Sequence, residues 1–173
     1  MTVDWEEIRR EHAPLVWSVV WRVLAHDADA LECSQQVFLE AIERSQIEPV
    51  DNWGGFLRWL AARRAIDMLR RRARQPKSAD IEAVVAGPAD SPTTEVEFED
   101  LVAAVRGELA KLPPQQAEAF WLVCVEERSY REVGDLMAIK TNAVGVLVHR
   151  ARHHLRRVLS HWETERTEHS THD

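Results

Sequence analysis

Residues 53–74 of the chain read WGGFLRWLAARRAIDMLRRRAR. Apolar residues recur in this stretch at intervals of three and four, which is the spacing of one face of a helix. They are Phe56, Leu57, Leu60, Ala61 and Leu69. Asn52 immediately precedes the stretch and can cap its first turn. The sequence therefore predicts a helix over 53–74 that buries this face.

The same helix concentrates positive charge. From Arg58 to Lys77 there are eight basic residues and one acidic residue, although the whole chain carries a net charge of −7. From Ser78 to Asp100 there are seven acidic residues and no basic one. Binding to nucleic-acid phosphates requires a local basic surface, so the acidic net charge does not exclude a DNA-binding function.

Aromatic residues precede the arginines. Trp53, Phe56 and Trp59 stand just upstream of Arg63 and Arg64, and rings mixed with bases suit single-stranded nucleic acid, whose bases stack and whose phosphates pair with arginine. The alternative is that the rings belong to the core and the arginines to a solvated face. Phe56 is in phase with the apolar face, which favours a core role, whereas Trp53 and Trp59 are open to either.

The rest of the chain has helical periodicity and almost no strand signal. Helices are predicted over 4–25, 29–44, 95–111, 114–126, 130–137 and 141–159, with a weaker one around 81–85. Pro14 predicts a kink or break near residue 13. Trp17 and Trp21, and Leu31 on the second helix, are predicted to face the core. The fold class is all-α, with two small helical domains joined by an acidic linker.

The composition indicates where in the cell the protein is located and how its cysteines are used. No apolar run reaches membrane-spanning length, and the acidic N-terminus lacks the order of a signal peptide, so a cytoplasmic protein is expected. Cys33 and Cys124 are far apart in apolar helical patterns, which favours reduced core thiols over a disulfide.

Residues 129–152 have the pattern of a helix-turn-helix, the C-terminal element of the predicted fold. A short helix, a tight connection at 138–140 and a longer helix share a small apolar core. Its predicted members are Val133, Met137, Ile139, Val144 and Val148. Gly134 allows close approach of the two helices, and the second helix would enter a major groove. The alternative is an ordinary helical hairpin with a solvated basic face.

No pattern of a catalytic or metal site is present. His149 and His153 are spaced i, i+4 beside His154, but no carboxylate or cysteine lies nearby in sequence to complete a metal site. No nucleophile elbow, phosphate loop or paired-carboxylate motif occurs. We therefore expect neither a cofactor nor an enzymatic activity.

Three stretches in order resemble the extracytoplasmic-function (ECF) group of bacterial RNA polymerase sigma factors, of the sigma-70 family. Residues 29–39 (DALECSQQVFL) are similar to the family's DAEDLVQEVFL segment, and 53–74 are similar to its Phe-x-x-Trp-Leu helix that ends in arginines. Residues 109–152, from LAKLPPQ through SYREV to HRAR, are similar to its promoter-reading C-terminal domain. The resemblance spans roughly residues 8–159.

This resemblance implies a division of the chain and a role for each part. Residues 1–75 would be a region 2-like domain that binds core polymerase and the −10 element, 76–94 a linker, 95–160 a region 4-like domain that binds the −35 element, and 161–173 a polar tail. The partners would be core RNA polymerase and promoter DNA, with an anti-sigma factor as a further candidate. The linker would thread polymerase channels near the active centre.

The resemblance also implies site residues. Core-polymerase contacts would be Glu32, Gln35 and Gln36. The −10 contacts would be Asn52, Trp53, Trp59, Arg63, Arg64, Arg70, Arg71 and Arg74. The −35 contacts would be Lys140, Thr141, Asn142, His149, Arg150 and His153.

The chain departs from the family's pattern at several of these positions. Where the family has Lys-Ser-Arg-Leu in the recognition helix, this chain has Gly145-Val146-Leu147-Val148, so polar base-readers are lost and Val146 or Leu147 could contact a thymine methyl or a protein instead. Ala138 replaces the usual turn glycine, so the turn is expected to avoid a left-handed residue. Arg63 replaces a common asparagine and adds positive charge.

Two other functions compete with the sigma-factor hypothesis. A stand-alone helix-turn-helix regulator would bind duplex DNA without the polymerase, but the residue 32–36 segment and the aromatic-arginine helix argue against it. A helical scaffold or hydrolase is disfavoured because no catalytic constellation is present.

Overall fold

The computed structural model describes residues 3–75 and 94–170. Every regular element in these ranges is helical, which confirms the all-α prediction. The helices are α1 (Trp5–Leu24), α2 (Asp27–Ser45), α3 (Trp53–Arg74), α4 (Thr94–Lys111), α5 (Pro114–Phe120), α6 (Tyr130–Met137) and α7 (Thr141–Ser170). The predicted helix around 81–85 lies outside the described residues, as does almost all of the predicted linker.

Helices α1, α2 and α3 pack on one another around an apolar core. Asp4 caps α1, since its Oδ1 accepts hydrogen bonds of 3.1 Å from the backbone N–H groups of Glu6 and Glu7. Helix α1 runs unbroken past Pro14, so the predicted break near residue 13 is wrong. The tertiary contacts of the helix offset the one missing N–H.

Three residues predicted to face this core are instead exposed. Trp17 is 38% exposed, Trp21 is 42% exposed and Leu31 is 55% exposed. The apolar pattern of α1 is wider than the face that its neighbours cover, and Trp21 lies at the rim, where its indole N–H donates a 2.8 Å hydrogen bond to Asp27.

The second half of the chain differs from its prediction in two places. Residues 114–126 do not form one α-helix, because α5 ends at Phe120 and a π-helical turn follows at Trp121–Val125. Helix α7 continues to Ser170, well past the predicted end at residue 159 and into the segment predicted to be a polar tail.

The two halves are in contact. Helix α3 packs against α4 and α5, and the Arg70 guanidinium donates a hydrogen bond to the backbone carbonyl of Leu112. Arg106 Nε donates a 3.3 Å hydrogen bond to the carbonyl of Arg22. Helices α1 and α3 are therefore both held against the second half.

Neither cysteine is in a disulfide, as expected. Burial raises the pKa of the Cys33 thiol to about 12, which keeps it protonated, whereas Cys124 is half-buried. Within the described residues, no helix combines the length and apolarity needed to cross a membrane.

Candidate nucleic-acid interface

The C-terminal turns of α3 present a basic surface. Arg71 and Arg74 are exposed, whereas Arg72 pairs with Asp29 at 2.7 Å and Arg70 is half-buried against Leu112. Of the arginines predicted at this end of the helix, Arg71 and Arg74 are thus the ones free to reach a phosphate in this arrangement.

Farther up α3, the predicted stacking residue Trp59 is covered. It is 8% exposed, and the guanidinium carbons of Arg44 and Arg63 lie 5.2 Å and 5.5 Å from the centre of its ring. Arg64 forms an ion pair with Glu40, which also binds Arg44 at 2.7 Å. Arg63 and Arg64 are therefore engaged with protein groups.

Trp53 belongs to a chain of aromatic contacts at the start of α3. Its ring lies edge-on to Trp5, with centroids 5.1 Å apart, and to Phe56, with centroids 6.1 Å apart. Asn52 is exposed and caps the helix, as predicted, by accepting a 2.9 Å hydrogen bond from the backbone N–H of Gly55. These contacts fix the first turn of α3, and the turn that precedes it remains exposed to solvent.

A groove of about 910 Å³ lies beside this turn. Its lining includes residues 47–52, Phe56 and, from the other half of the chain, Glu132, Asp135 and Leu136. Three arginines also line it, namely Arg44, Arg58 and Arg128. The lining thus combines three arginines with four acidic residues, Glu48, Asp51, Glu132 and Asp135, and one aromatic ring.

Glu126 joins the two halves beside this groove. Its carboxylate is buried and lies 2.8 Å from Arg22 Nη2 and 3.2 Å from Arg58 Nε. It also accepts a 3.2 Å hydrogen bond from the Trp121 indole. Burial lowers the pKa of Arg58, and Arg128 lowers it further, whereas Glu126 raises it.

A second acidic residue, Glu118 on α5, faces α3. It is 8% exposed, and this burial raises its pKa to about 7, while Arg63 lowers the pKa and Asp67 raises it. The Trp59 indole N–H has no well-formed hydrogen bond but is near enough to Glu118 to lower that pKa slightly. Glu118 is therefore a titratable group within the contact between the two halves.

The helix-turn-helix has the predicted core. Val133, Val144 and Val148 are fully buried, and Met137 and Ile139 pack against them. The helices approach closely at Gly134, where a Cβ would lie 2.9 Å from the carbonyl oxygen of Ile139.

The two ends of α6 are well defined. Ser129 and Glu132 form a capping box, with reciprocal hydrogen bonds of 2.8 Å and 3.2 Å. At the other end Ala138 has φ 54°, in the left-handed region. The expectation that this turn avoids a left-handed residue is wrong, because α6 must reverse within three residues and Ala138 accepts the strained conformation.

One exposed face of α7 carries four of the six residues predicted to contact duplex DNA. We define this recognition face by its lining residues Thr141, Asn142, Gly145, Val146, His149 and Arg150. Lys140 and His153 are also exposed, at either end of it. Leu147 is partly buried and packs against the core, so only Val146 of the two candidate apolar contacts points outward.

Three histidines of α7, His149, His153 and His154, have side chains that the structure describes. Among the residues that the structure describes, no group of three metal-ligating side chains converges. His154 Nε2 instead lies 3.0 Å from Glu108 Oε2 and ties α7 to α4.

The predicted polymerase contacts lie on α2. Glu32 and Gln35 are exposed, and Gln36 donates a 3.0 Å hydrogen bond to Glu32. Leu31 is 55% exposed and Leu39 is 61% exposed. They lie on the same face of α2 as Gln35, because the three residues are spaced four apart. The face is thus a mixed apolar and polar stripe, which the sequence analysis missed at Leu31.

Sequence reasoning also missed the contacts of Glu118 and Glu126. Glu118 is a lone acid in a mostly apolar stretch and Glu126 ends that stretch, which is the signal that could have identified them. Their charged partners are more than fifty residues away along the chain. Tyr130, which borders the recognition face, was likewise treated only as the start of a helix.

Known proteins share this architecture. A family model described as Sigma-70 region 2 matches residues 8–75, and one described as Sigma-70, region 4 matches residues 103–155. The chain is 30% identical over 164 residues to the ECF RNA polymerase sigma factor SigE of Mycolicibacterium smegmatis. The matched region covers 94% of this chain but only 64% of that protein. It is 30% identical over 165 residues to the RNA polymerase sigma factor CarQ of Myxococcus xanthus, with 92% of this chain and 91% of that protein covered.

A solved structure has the same fold. The sigma factor RpoE from Bartonella quintana, determined in complex with the anti-sigma factor NepR, superposes with a TM-score of 0.56 at 19% identity, covering 91% of this chain and 97% of that one. Because both sigma-70 regions match in order, and SigE and CarQ are each 30% identical over more than nine-tenths of this chain, the chain belongs to the ECF group of the sigma-70 family of RNA polymerase sigma factors.

Proposed function

We propose that the protein is an alternative sigma factor that binds core RNA polymerase and directs promoter-specific initiation at −10 and −35 elements. The observation that carries the proposal is the pair of basic surfaces, one at the end of α3 and one on α7, in a chain whose net charge is −7. Phosphate contacts at two separate surfaces fix a protein in register on a promoter.

On the −10 side, residues 1–75 act as the region 2-like domain. Asn52 and the open turn before α3 meet the strand, Arg71 and Arg74 pair with phosphates, and Trp53 supplies an aromatic wall. Trp59, Arg63, Arg64 and Arg70 contribute after the contacts that now engage them are released. Separation of the two halves would release Arg70 from Leu112, whereas Arg64 would also have to leave Glu40 of its own half.

On the −35 side, residues 95–160 act as the region 4-like domain. The recognition face enters the major groove with Lys140, Thr141 and Asn142 leading. His149 and Arg150 follow about two turns along the helix, and His153 about three turns along it. Arg152, Arg156 and Arg157 are exposed and are available for the flanking phosphates.

The α2 stripe is the surface for core polymerase. Glu32, Gln35 and Gln36 supply hydrogen-bonding groups between the exposed leucines Leu31 and Leu39. The stripe thus offers both apolar contact area and hydrogen-bonding groups, and specific protein interfaces use both.

The chemistry of transcription belongs to the polymerase, because sigma factors are not enzymes. We place the protein in the cytoplasm, where polymerase and promoter DNA are found. An anti-sigma factor is a further proposed partner, since the fold matches a sigma factor solved with one. Inhibition by such a partner would keep the two halves in contact.

A run-off transcription assay tests the proposal. Purified protein is added to core RNA polymerase with a library of randomised promoters, and new transcripts together with co-elution with core are expected. Absence of both would overturn the proposal. Tight binding to duplex DNA without any association with core would instead support a stand-alone helix-turn-helix regulator.

A further inference from the structure

The recognition face has an apolar depression at its centre. Together with Tyr130, its six residues line a groove of about 400 Å³. Polar side chains occupy the two ends of the groove, with Thr141 and Asn142 at one end and His149 and Arg150 at the other. Its middle is formed by Gly145 and Val146.

The depression exists because Gly145 has no side chain. A Cβ at this position would lie 3.7 Å from Tyr130 Cε2, so the glycine leaves the edge of the tyrosine ring uncovered. Tyr130 is 39% exposed and Val146 is 48% exposed. An apolar group about the size of a methyl can therefore contact both side chains at once.

The charge around the depression identifies its occupant as DNA. From residue 141 to residue 162 the chain has no acidic residue, and Arg150, Arg152, Arg156 and Arg157 are exposed. An apolar protein helix would gain nothing from this surround, whereas phosphates on both sides of a major groove would. Inside that groove the apolar group is the C5-methyl of thymine.

We propose that Val146 and the depression between Gly145 and Tyr130 bind the C5-methyl group of a thymine, so that this chain selects an A·T pair at one position of the −35 element by an apolar contact. The inference rests on the proposed function and refines it. It replaces hydrogen-bonded readout at the centre of the helix with methyl recognition, while Asn142 and Arg150 retain polar contacts at the ends.

Replacement of thymine by deoxyuridine tests the contact, because it removes the methyl and leaves every hydrogen-bonding group in place. Holoenzyme is assembled from the full chain and core polymerase on a promoter taken from the randomised library. Each thymine of the −35 element is then replaced in turn, and binding is measured. At one position we expect a loss of about four-fold, the value of one buried methylene-sized group.

Two substitutions locate the effect on the protein. Val146→Ser should bind the thymine and deoxyuridine promoters equally, and should match the unmodified protein on the deoxyuridine promoter. Val146→Ile should keep the preference for thymine. A folding defect would weaken binding to both promoters, so equal binding to deoxyuridine separates a lost contact from a lost structure.

The outcomes distinguish this inference from the function on which it rests. If holoenzyme initiates transcription but no thymine is sensitive to deoxyuridine, the inference is wrong and the sigma-factor function stands. The inference is also wrong if Val146→Ser keeps the full preference. If no transcription and no core binding occur, the proposed function fails, and the inference fails with it.

Discussion

Ala138 holds a left-handed backbone, φ 54°, at the turn between α6 and α7. An L-residue pays about 1–2 kcal/mol in this region, whereas glycine does not. Ala138→Gly is therefore expected to raise the free energy of unfolding by about 1 kcal/mol, after the greater entropy of glycine in the unfolded chain is deducted. Urea denaturation followed by circular dichroism measures it.

Ala103→Gly is the matched control. Ala103 is exposed in the middle of α4, where glycine lowers stability by about 1 kcal/mol. Opposite signs for the two substitutions are expected. A loss of stability in both would show that the turn at Ala138 gains nothing from glycine.

Glu118 makes stability depend on pH. Burial raises its pKa from 4.5 to about 7, so the folded chain binds a proton that the unfolded chain has released. Stability from this group therefore falls as pH rises from about 4.5 to about 7, and the full loss is on the order of 3 kcal/mol. Glu118→Gln should remove this dependence and stabilise the protein most above pH 7.

Chemical denaturation at pH 5 and pH 8 measures the effect. Glu43→Gln makes the same chemical change at an exposed position on α2. It should leave the difference in unfolding free energy between pH 5 and pH 8 unchanged. If Glu118→Gln stabilises the protein equally at pH 5 and pH 8, Glu118 is not protonated in the folded chain.

At the scale of one helix, the free arginines of α3 predict a salt effect. Arg71→Ala combined with Arg74→Ala should reduce the slope of log K against log salt by about 2, because each phosphate contact contributes about 0.9. Fluorescence anisotropy of holoenzyme on promoter DNA, at several salt concentrations, measures the slope. Arg70 and Arg72 are left in place because they hold protein contacts.

A double substitution on α1 is the control for charge. Arg9→Ala with Arg10→Ala removes the same two charges from exposed positions outside the proposed interface, and the slope should be unchanged. An equal reduction in both double variants would mean that net charge, and not contact at the end of α3, sets the slope.

The helices themselves were largely predictable, because their signals are local. The spacing of apolar residues and the caps at Asp4, Asn52 and Ser129 are properties of neighbouring residues. The exposure of Trp17 and Trp21 was not predictable, since it depends on how much of α1 the other helices cover. The π-helical turn was not predictable either, because its residues are apolar, as they would be in an α-helix at the same place.

The candidate site divides in the same way. Helical periodicity alone places Thr141, Asn142, His149 and Arg150 on one face. Trp59 is covered by Arg44 of α2, and the raised pKa of Glu118 arises where α5 packs against α3. Both depend on how separate helices pack. A single sequence does not specify such pairings, whereas residues three and four apart on one helix are always neighbours.

For the molecule as a whole, Glu126 is the charge that joins the two halves. Glu126→Gln keeps the shape of the side chain but leaves Arg22 and Arg58 without an anionic partner. Loss of one partner of a buried charge pair costs about 2–5 kcal/mol, so separation of the halves should become at least ten-fold more frequent. Hydrogen exchange along α3, in the full chain, measures it.

The neighbouring residue supplies the control. Glu127→Gln makes the same change at an exposed position and should leave exchange in α3 as it is. Unaltered exchange in the Glu126 variant would show that apolar contacts alone hold the halves together. Faster exchange in α3 with an unchanged core of α1 and α2 would show separation without unfolding.

The π-helical turn at Trp121–Val125 has an evolutionary consequence. The backbone N–H of Glu126 bonds to the carbonyl of Trp121, five residues back, at 3.0 Å, so the turn holds one residue more than an α-helix would. A one-codon deletion here would restore regular α-helical winding and leave Glu126 facing nearly the same direction, because five residues at π-helical winding and four at α-helical winding each complete just over one turn. Related genes can therefore differ by a single codon at this turn and still keep the link between Glu126 and the first half of the chain.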